Sequence, residues 1–483
     1  MFAASKSGRA SAAAATDPFF PYVPLLLNTT STNGQQNNTF LDSSTNNFTI
    51  TRSGTPTQGS VTPYWPDGYW SNLFNSTGYL SNASNAAFTF GTADFTVEYW
   101  AYCTSLPGTF TIVCGGNLGS ATDIAFGFNP SSPYCTHSAN WPVYTTTLMP
   151  FNAWTHLAFT RTSGTWKVYI NGIDVTFASQ SNPNVTTSTI GIGARSGGAN
   201  GFTGYIAGLR VIKGQALNST GNFTPPTSPV TATTVGWTGA NVASSITGTV
   251  SLLTCRSNRF IDGSPSPVTL TVNNSPRVQA FQPFSPAASY TTAAYGGSML
   301  GSTGTTTGVV VPDNAAFTCA GDFTSELWYY PLASSSFVVV MGFYDGTFQP
   351  WSIVHDTNNF TIYVSSNFSS WNIANGTVLG AVVYGQWNHL AVVRSGTSTG
   401  NLKFYINGSL ATSVTYTGTI DPTQGLRFYC SSGGAYSSNA RFVNGTAVYT
   451  AAFTPPTVPL TAITNTSLLL NFTNAGIYDA AVQ

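Results

Sequence analysis

Four short segments occur twice in this chain, in the same order. Asp94-Phe95-Thr96-Val97-Glu98-Tyr99-Trp100 returns as Asp322-Phe323-Thr324-Ser325-Glu326-Leu327-Trp328. Trp154-Thr155-His156-Leu157-Ala158 returns as Trp387-Asn388-His389-Leu390-Ala391, and Lys167-Val168-Tyr169-Ile170-Asn171-Gly172 as Lys403-Phe404-Tyr405-Ile406-Asn407-Gly408. Phe223-Thr224-Pro225-Pro226-Thr227 returns as Phe453-Thr454-Pro455-Pro456-Thr457. The spacing of roughly 230 residues is far longer than the ~20–50 residues of a solenoid unit, so each copy must enclose its own core. A chain of 483 residues holds two such modules, since β sandwiches commonly run about 200–250 residues. The division predicted is an N-terminal arm at 1–20, a first module at 21–240 and a second at 241–483, with the boundary inside the Thr-, Gly-, Ala- and Ser-rich stretch 231–248.

The residues themselves ask for antiparallel sheets. Apolar residues make up 42% and aromatics 14%, enough for large cores, and no long stretch places them at helical spacing. Charged residues are only 6%, with zero formal net charge, so Ser, Thr, Asn and Gly must cover the surface. Such a surface offers no basic patch for nucleic acid and no polybasic run for an anionic membrane. It is also weakly defended against self-association, which suits a subunit of a larger assembly and predicts a homo-oligomer. Lys167 to Ile170 runs into Asn171-Gly172, and Asn407-Gly408 repeats the pair; both residues tolerate the positive φ of a type I′ hairpin. Pro225-Pro226 and Pro455-Pro456 cannot donate ladder hydrogen bonds and mark exits from a sheet. Leu252-Leu253 follows the first Thr-Pro-Pro motif as Leu468-Leu469-Leu470 follows the second. The last is either a closing strand or the opening of a third copy.

The Phe-Thr-x-Glu-x-Trp strand, the Trp-x-His-x-Ala strand and the Tyr-Ile-Asn-Gly hairpin together resemble the laminin-G-like, or concanavalin A-like, jelly-roll family. The resemblance covers most of both modules and implies two tandem antiparallel β sandwiches behind a short N-terminal arm. Arg210 to Leu217, then Phe-Thr-Pro-Pro-Thr, then a Leu-rich strand, resembles repeat proteins of tailed bacteriophages, marine ones especially. That likeness implies a virion structural protein (fibre, tail appendage or capsid decoration), with other virion proteins as partners and host surface polysaccharide as a further contact. No apolar h-region of a signal peptide precedes Asp17, so the expectation is synthesis in the host cytoplasm and incorporation into the virion.

Charged residues kept in both copies stand out because charge is scarce: Asp94/Asp322, Glu98/Glu326, Arg161/Arg394, Lys167/Lys403 and Arg210/Arg441, with His156/His389 beside them. Side chains alternate along a strand, so Glu98, Trp100 and Tyr102 share one face with Thr96, as Glu326, Trp328 and Tyr330 do with Thr324. This face has two readings. It is a sugar platform, or it is framework, with Glu98 paired to Arg161 or another retained cation between the sheets. Trp154, His156, Arg161, Asn171 and Gly172, with Trp387, His389, Arg394, Asn407 and Gly408, form the framework signature. Trp65, Tyr69, Trp70, Trp141, Trp351 and Trp371 are further aromatic candidates for glycan contact at loop tips or a concave face.

Catalysis is not expected. Glycoside hydrolases need two carboxylates roughly 5–9.5 Å apart, and the resemblance places them on one strand with alternating acids, where this chain has one Glu per copy. No nucleophile elbow, His-Glu-x-x-His pair or phosphate loop occurs. The laminin-G likeness leaves room for Ca2+, yet Asp123, Asp174, Asp345 and Asp356 form no ligand-spaced cluster. The six cysteines (Cys103, Cys114, Cys135, Cys255, Cys319 and Cys430) contain no CxxC pair and read as buried thiols, although Cys103 and Cys114 could face each other across a hairpin. Asn-x-Ser/Thr sequons such as those at Asn28, Asn75, Asn218 and Asn407 read as products of composition.

Overall fold

The computed structural model describes residues 27–29, 51–53, 57–59, 64–105, 110–118, 122–129, 132–137, 140–145, 147–179, 183–280, 292–301, 307–344, 346–430, 434–472 and 477–479. The arm expected at 1–20 and Asp345 lie outside them, as do the side chains of Asn28, Cys135 and Trp141. The described chain is all-β, 46% strand against 2% helix. It forms two sandwiches of antiparallel sheets.

In the first sandwich the Glu-bearing strand Phe95–Ser105 sits mid-sheet, between Trp154–Thr162 and Thr203–Lys213. Alternation turns Phe95, Val97, Tyr99 and Ala101 into the core, where none is accessible. There they meet residues of the second sheet, including Val113, Phe126 and Ile192. The second sandwich repeats the plan with Phe323–Pro331 between Asn388–Arg394 and Ala435–Asn444. Each fully buried aromatic or aliphatic side chain contributes about 1.5–3 kcal/mol relative to exposure.

The Asn-Gly hairpins have positive φ at both residues, +50° and +77° at Asn171-Gly172 and +51° and +79° at Asn407-Gly408. Each turn also anchors its neighbours. The Asn171 side chain accepts from the His156 backbone N–H at 2.9 Å, and the Gly172 carbonyl accepts from Phe223 N–H at 2.9 Å. The second copy repeats both bonds through Asn407 and Gly408. The hairpin therefore docks the Phe-Thr-Pro-Pro segment onto the sheet. This contact explains why the two motifs travel together in the sequence.

Two features depart from the linear reading. The stretch 231–248 is not a linker: with Phe223 and Val230, its Val235 and Trp237 cover the outer face of the first Glu-bearing sheet, packing on Ala158, Tyr169 and Ile212. The chain then continues in the first sandwich, because Thr249–Thr254 pairs with Thr203–Lys213, Leu270–Asn273 with Tyr79–Asn82, and Arg277–Gln279 with Ser71–Asn75. The first unit thus reaches Gln279 rather than residue 240. Thr466–Leu470 pairs with Ala435–Asn444 as Thr249–Thr254 pairs in the first copy, so it closes the second sandwich.

The second departure lies ahead of the first sandwich. Thr51–Ser53 and Thr57–Gly59 pair with Thr307–Val311 and Ser298–Gly301, which belong to the second. The two units also touch directly. Tyr64 meets Trp328 edge to face at 6.4 Å, Tyr330 donates its hydroxyl to the Val278 carbonyl at 2.9 Å, and Trp387 N–H donates to the Asn258 carbonyl at 3.1 Å.

Candidate functional site

The face carrying Glu98 points away from the second sheet and under the covering segment. Glu98 has no accessible surface. Register places it opposite Ala158 on one neighbouring strand and Arg210 on the other. The ladder shifts beside Arg210, where Gly208 takes φ +57°. The second copy shifts beside Arg441, with Asn439 at +49°. Such bulges re-aim a side chain. Arg210 Nε donates to Glu98 Oε1 at 2.7 Å and its Nη2 lies 2.5 Å from the same oxygen. His156 Nε2 lies 3.0 Å from Oε2, and Trp237 Nε1 donates to Oε2 at 2.7 Å. Among the described residues His156 Nδ1 has no hydrogen-bond partner, so the ring meets the carboxylate through Nε2 alone. Arg210 also donates to the carbonyls of Thr231, Thr234 and Val235. The network therefore rivets the covering segment to the sheet.

Glu326 repeats the arrangement with one exchange. Arg441 Nε and Nη2 reach Oε1 at 2.9 and 2.5 Å, and His389 Nε2 lies 3.1 Å from Oε2. The fourth donor is the Tyr449 hydroxyl at 2.7 Å. Trp237 follows its Phe-Thr-Pro-Pro segment, whereas Tyr449 precedes its own. Each nevertheless stacks on the Phe of that segment, at 4.0 Å for Phe223 and 3.6 Å for Phe453. One slot beside the carboxylate is thus filled from two different places in the chain. Burial pushes both carboxyls up, but the neighbours win. Arg210, His156 and Trp237 hold Glu98 below its ordinary value, and His389, Arg441 and Tyr449 do the same for Glu326. Burial and the adjacent Glu326 push the Tyr449 hydroxyl well up, so it remains a donor.

Of the retained cations, the partner of Glu98 is thus Arg210 rather than Arg161, and the pair lies outside the sandwich core, not between the sheets. Arg161 donates to the carbonyls of Gly91, Ala93 and Pro183 and lies over the Phe95 and Trp166 rings. Arg394 donates to the Cys319 carbonyl and lies 5.8 Å from the Tyr416 ring centre. Asp94 and Asp322 accept from the backbone N–H of Ser163 and Gly396, holding equivalent turns. Trp328 and Tyr330 are 2% and 3% exposed beneath Tyr64 and Val278 of the first unit. Trp100, Tyr102 and Trp154 are half-buried, and Tyr102, Trp154 and Tyr205 pack edge to face.

The aromatic candidates separate by burial. Trp351 is fully buried between Phe323 and Phe343, and Trp70 is buried with its Nε1 donating to the Trp65 carbonyl. Neither can meet a ligand. Tyr69 is half-buried, and Trp65 stacks on Tyr295 at 4.6 Å. Trp371 belongs to a different setting. It meets Tyr344, Phe348 and Tyr363 at 5.6, 5.1 and 5.3 Å, and Phe337 joins Tyr344 and Tyr363 at 5.4 and 5.2 Å. Phe337 is 39% exposed, and Phe368 on the Trp371 loop is 38% exposed. Asn367 and Asn372 fix that loop: Asn367 Oδ1 accepts from Ser369 and Ser370 N–H, and Asn372 Oδ1 from Ser366 N–H. Trp371 stands out in the sequence, but its ring of partners does not, because three separate strands and loops bring them together.

Among the described residues no three His, Cys, Asp or Glu side chains gather as a metal set. Asp174 is bonded to Lys167 at 2.8 Å. Cys103, Cys114, Cys255, Cys319 and Cys430 are buried and free; Cys103 and Cys114 lie on different sheets rather than across a hairpin. Burial pushes the Cys114, Cys319 and Cys430 thiols up to about 12. Among the described residues no helix is long and apolar enough to cross a membrane.

Fold and side-chain layout define a tandem β-sandwich protein whose two modules keep the same buried Glu-His-Arg network. Residues 74–220 and 303–461 match the family model of the concanavalin A-like lectin/glucanases superfamily, in its laminin-G-like branch, and the chain belongs to that family. No curated protein matches the sequence. Among solved structures, the chain is similar to a Bacteroides ovatus protein described as carbohydrate-binding: 15% identity, TM-score 0.29, covering 44% of this chain and 59% of that one. It is similar to domains LG4-5 of the mouse laminin alpha1 chain, with 9% identity, TM-score 0.26, and coverage of 85% of this chain and 100% of that one. It is also similar to domain 4 of an extracellular arabinanase from Geobacillus stearothermophilus, solved with arabinotriose. Here identity is 21% and the TM-score 0.26, over 37% of this chain and 89% of that domain.

Proposed function

We propose that the protein is a non-enzymatic virion component of a tailed phage, a fibre, tail appendage or capsid decoration, that contacts host surface polysaccharide. The observation that carries the sugar contact is the partly exposed cluster of Phe337, Tyr344, Phe348, Tyr363 and Trp371 beside an amide-bearing loop. Flat rings stack on the apolar faces of sugar rings, and amides exchange hydrogen bonds with hydroxyls. A loop already tied by its own Asn side chains loses little entropy on binding. Absence of hydrolysis is supported by the carboxylates. Glycoside cleavage needs a reachable acid-base pair roughly 5–9.5 Å apart, whereas Glu98 and Glu326 are inaccessible and each accepts from an Arg. The virion assignment is supported by the likeness of Arg210 to Leu217 and the Phe-Thr-Pro-Pro-Thr segment to phage repeat proteins, and by the nearly uncharged surface.

Immunogold labelling of particles from the source culture tests this assignment. Gold at tail tips or fibre ends fits host attachment, and gold along a shaft or capsid fits decoration. Particles without gold would overturn it.

A further inference from the structure

The two sandwiches obtain their edge strands differently. The first takes them from the chain that follows its body: Leu270–Asn273 and Arg277–Gln279 pair with Tyr79–Asn82 and Ser71–Asn75. The second takes the equivalent strands from ahead of the first sandwich: Thr51–Ser53 pairs with Thr307–Val311 and Thr57–Gly59 with Ser298–Gly301. Thr51, Arg52 and Ser53 lie opposite Val310, Val309 and Gly308. Donor and acceptor are joined only through the whole first sandwich. Without the donor, Thr307–Val311 and Ser298–Gly301 would each become an edge strand with a row of unpaired N–H and C=O groups, a ready template for another strand.

We propose that this edge is a self-recognition site, at which the 51–59 strands of a second copy insert and link copies by strand exchange. The recognition is strand addition through the main chain, and an element held across such a distance is the kind that protomers exchange. Nothing in the pairing distinguishes the chain's own donor from that of a neighbour. Charge does not oppose the encounter, because the chain carries zero formal net charge and only 6% charged residues. The Tyr64–Trp328 contact follows the donor by a few residues, so an exchanged copy carries that contact with it. The proposal rests on the reading of this chain as an assembly protein and names the partner. It is independent of sugar contact, since loss of polysaccharide binding would leave the exchange intact.

Cysteines at facing positions report the exchange in the full chain. Thr51→Cys and Val310→Cys occupy paired positions, and paired strands hold Cα atoms about 4.5–5.5 Å apart, within disulfide reach. Co-expression of the two single variants should give a dimer band on a non-reducing gel that reduction removes and that the unsubstituted chain lacks. The double variant should give linked multimers. Intrachain closure in the double variant with no dimer from the singles would overturn the proposal, and so would absence of any disulfide in either. Light scattering gives a second readout that needs no substitution. The mass should rise above one chain with concentration, and a monomer at every concentration would contradict the exchange.

Discussion

Replacing Glu98 with Gln removes the one negative charge in a site that has no solvent. Four donor contacts converge on it: Arg210 Nε and Nη2, His156 Nε2 and Trp237 Nε1. A Gln amide keeps one acceptor oxygen but turns an N–H2 group toward two of these donors. Arg210, which has no accessible side-chain surface, is left as an uncompensated charge. Breaking a buried pair by removing one partner costs about 3–5 kcal/mol, a large share of the ~5–15 kcal/mol that holds a domain folded. For a module of this size that is a fall in melting temperature of about 6–20 °C. Calorimetry with and without Glu98→Gln measures it. A site serving catalysis would behave in the opposite way, with stability kept and an activity lost. A variant within about 0.5 kcal/mol of the parent, the ordinary spread of surface substitutions, would refute the network argument.

Tyr449→Phe removes one bond to the Glu326 carboxylate and should cost about 1.5–3 kcal/mol, the range for a hydrogen bond to a charged group; urea denaturation checks it. Gly408→Ala should cost more than about 2 kcal/mol, since φ is +79° and the new Cβ would stand 1.8 Å from the Phe453 carbonyl oxygen. Its readout is protease sensitivity of the released Phe-Thr-Pro-Pro segment. The pH dependence has a fixed sign. Glu98 and Glu326 sit below the ordinary 4.5 when folded. Their contribution is therefore fully present above pH ~4.5 and lost as pH falls through the folded values. Urea midpoints should drop between pH 7 and pH 3, and less so in a Glu98→Gln, Glu326→Gln double variant.

The sheet strands and hairpins were legible because their signals are local. The Asn-Gly pairs demand positive φ, and the alternation of Phe95, Val97, Tyr99 and Ala101 assigns the core face. Retention of Glu98 and His156 in both copies marked them as a unit. The choice of Arg210 over Arg161 was not legible, since pairing depends on which neighbouring strand carries the cation and on a bulge beside it. Trp237 and Tyr449 escaped detection for a related reason. They fill one slot from opposite sides of the Phe-Thr-Pro-Pro segment, so alignment of the two copies never places them together. The true end of the first sandwich at Gln279 and the crossing of Thr51–Ser53 and Thr57–Gly59 to the second are matters of long-range pairing, which composition and spacing do not encode. The cluster around Trp371 is likewise a meeting of distant residues.

The most direct test of the account measures binding and cleavage in the same samples. Purified protein is incubated with a panel of bacterial envelope polysaccharides, and bound polymer and released reducing ends are quantified together for the parent and Trp371→Ala. The account predicts saturable binding without new reducing ends, and at least about a tenfold loss of affinity in the variant, the effect of losing ~1.4 kcal/mol from an aromatic anchor. Reducing ends released by the parent and abolished by Glu98→Gln or Glu326→Gln, or binding unchanged in Trp371→Ala, would contradict it.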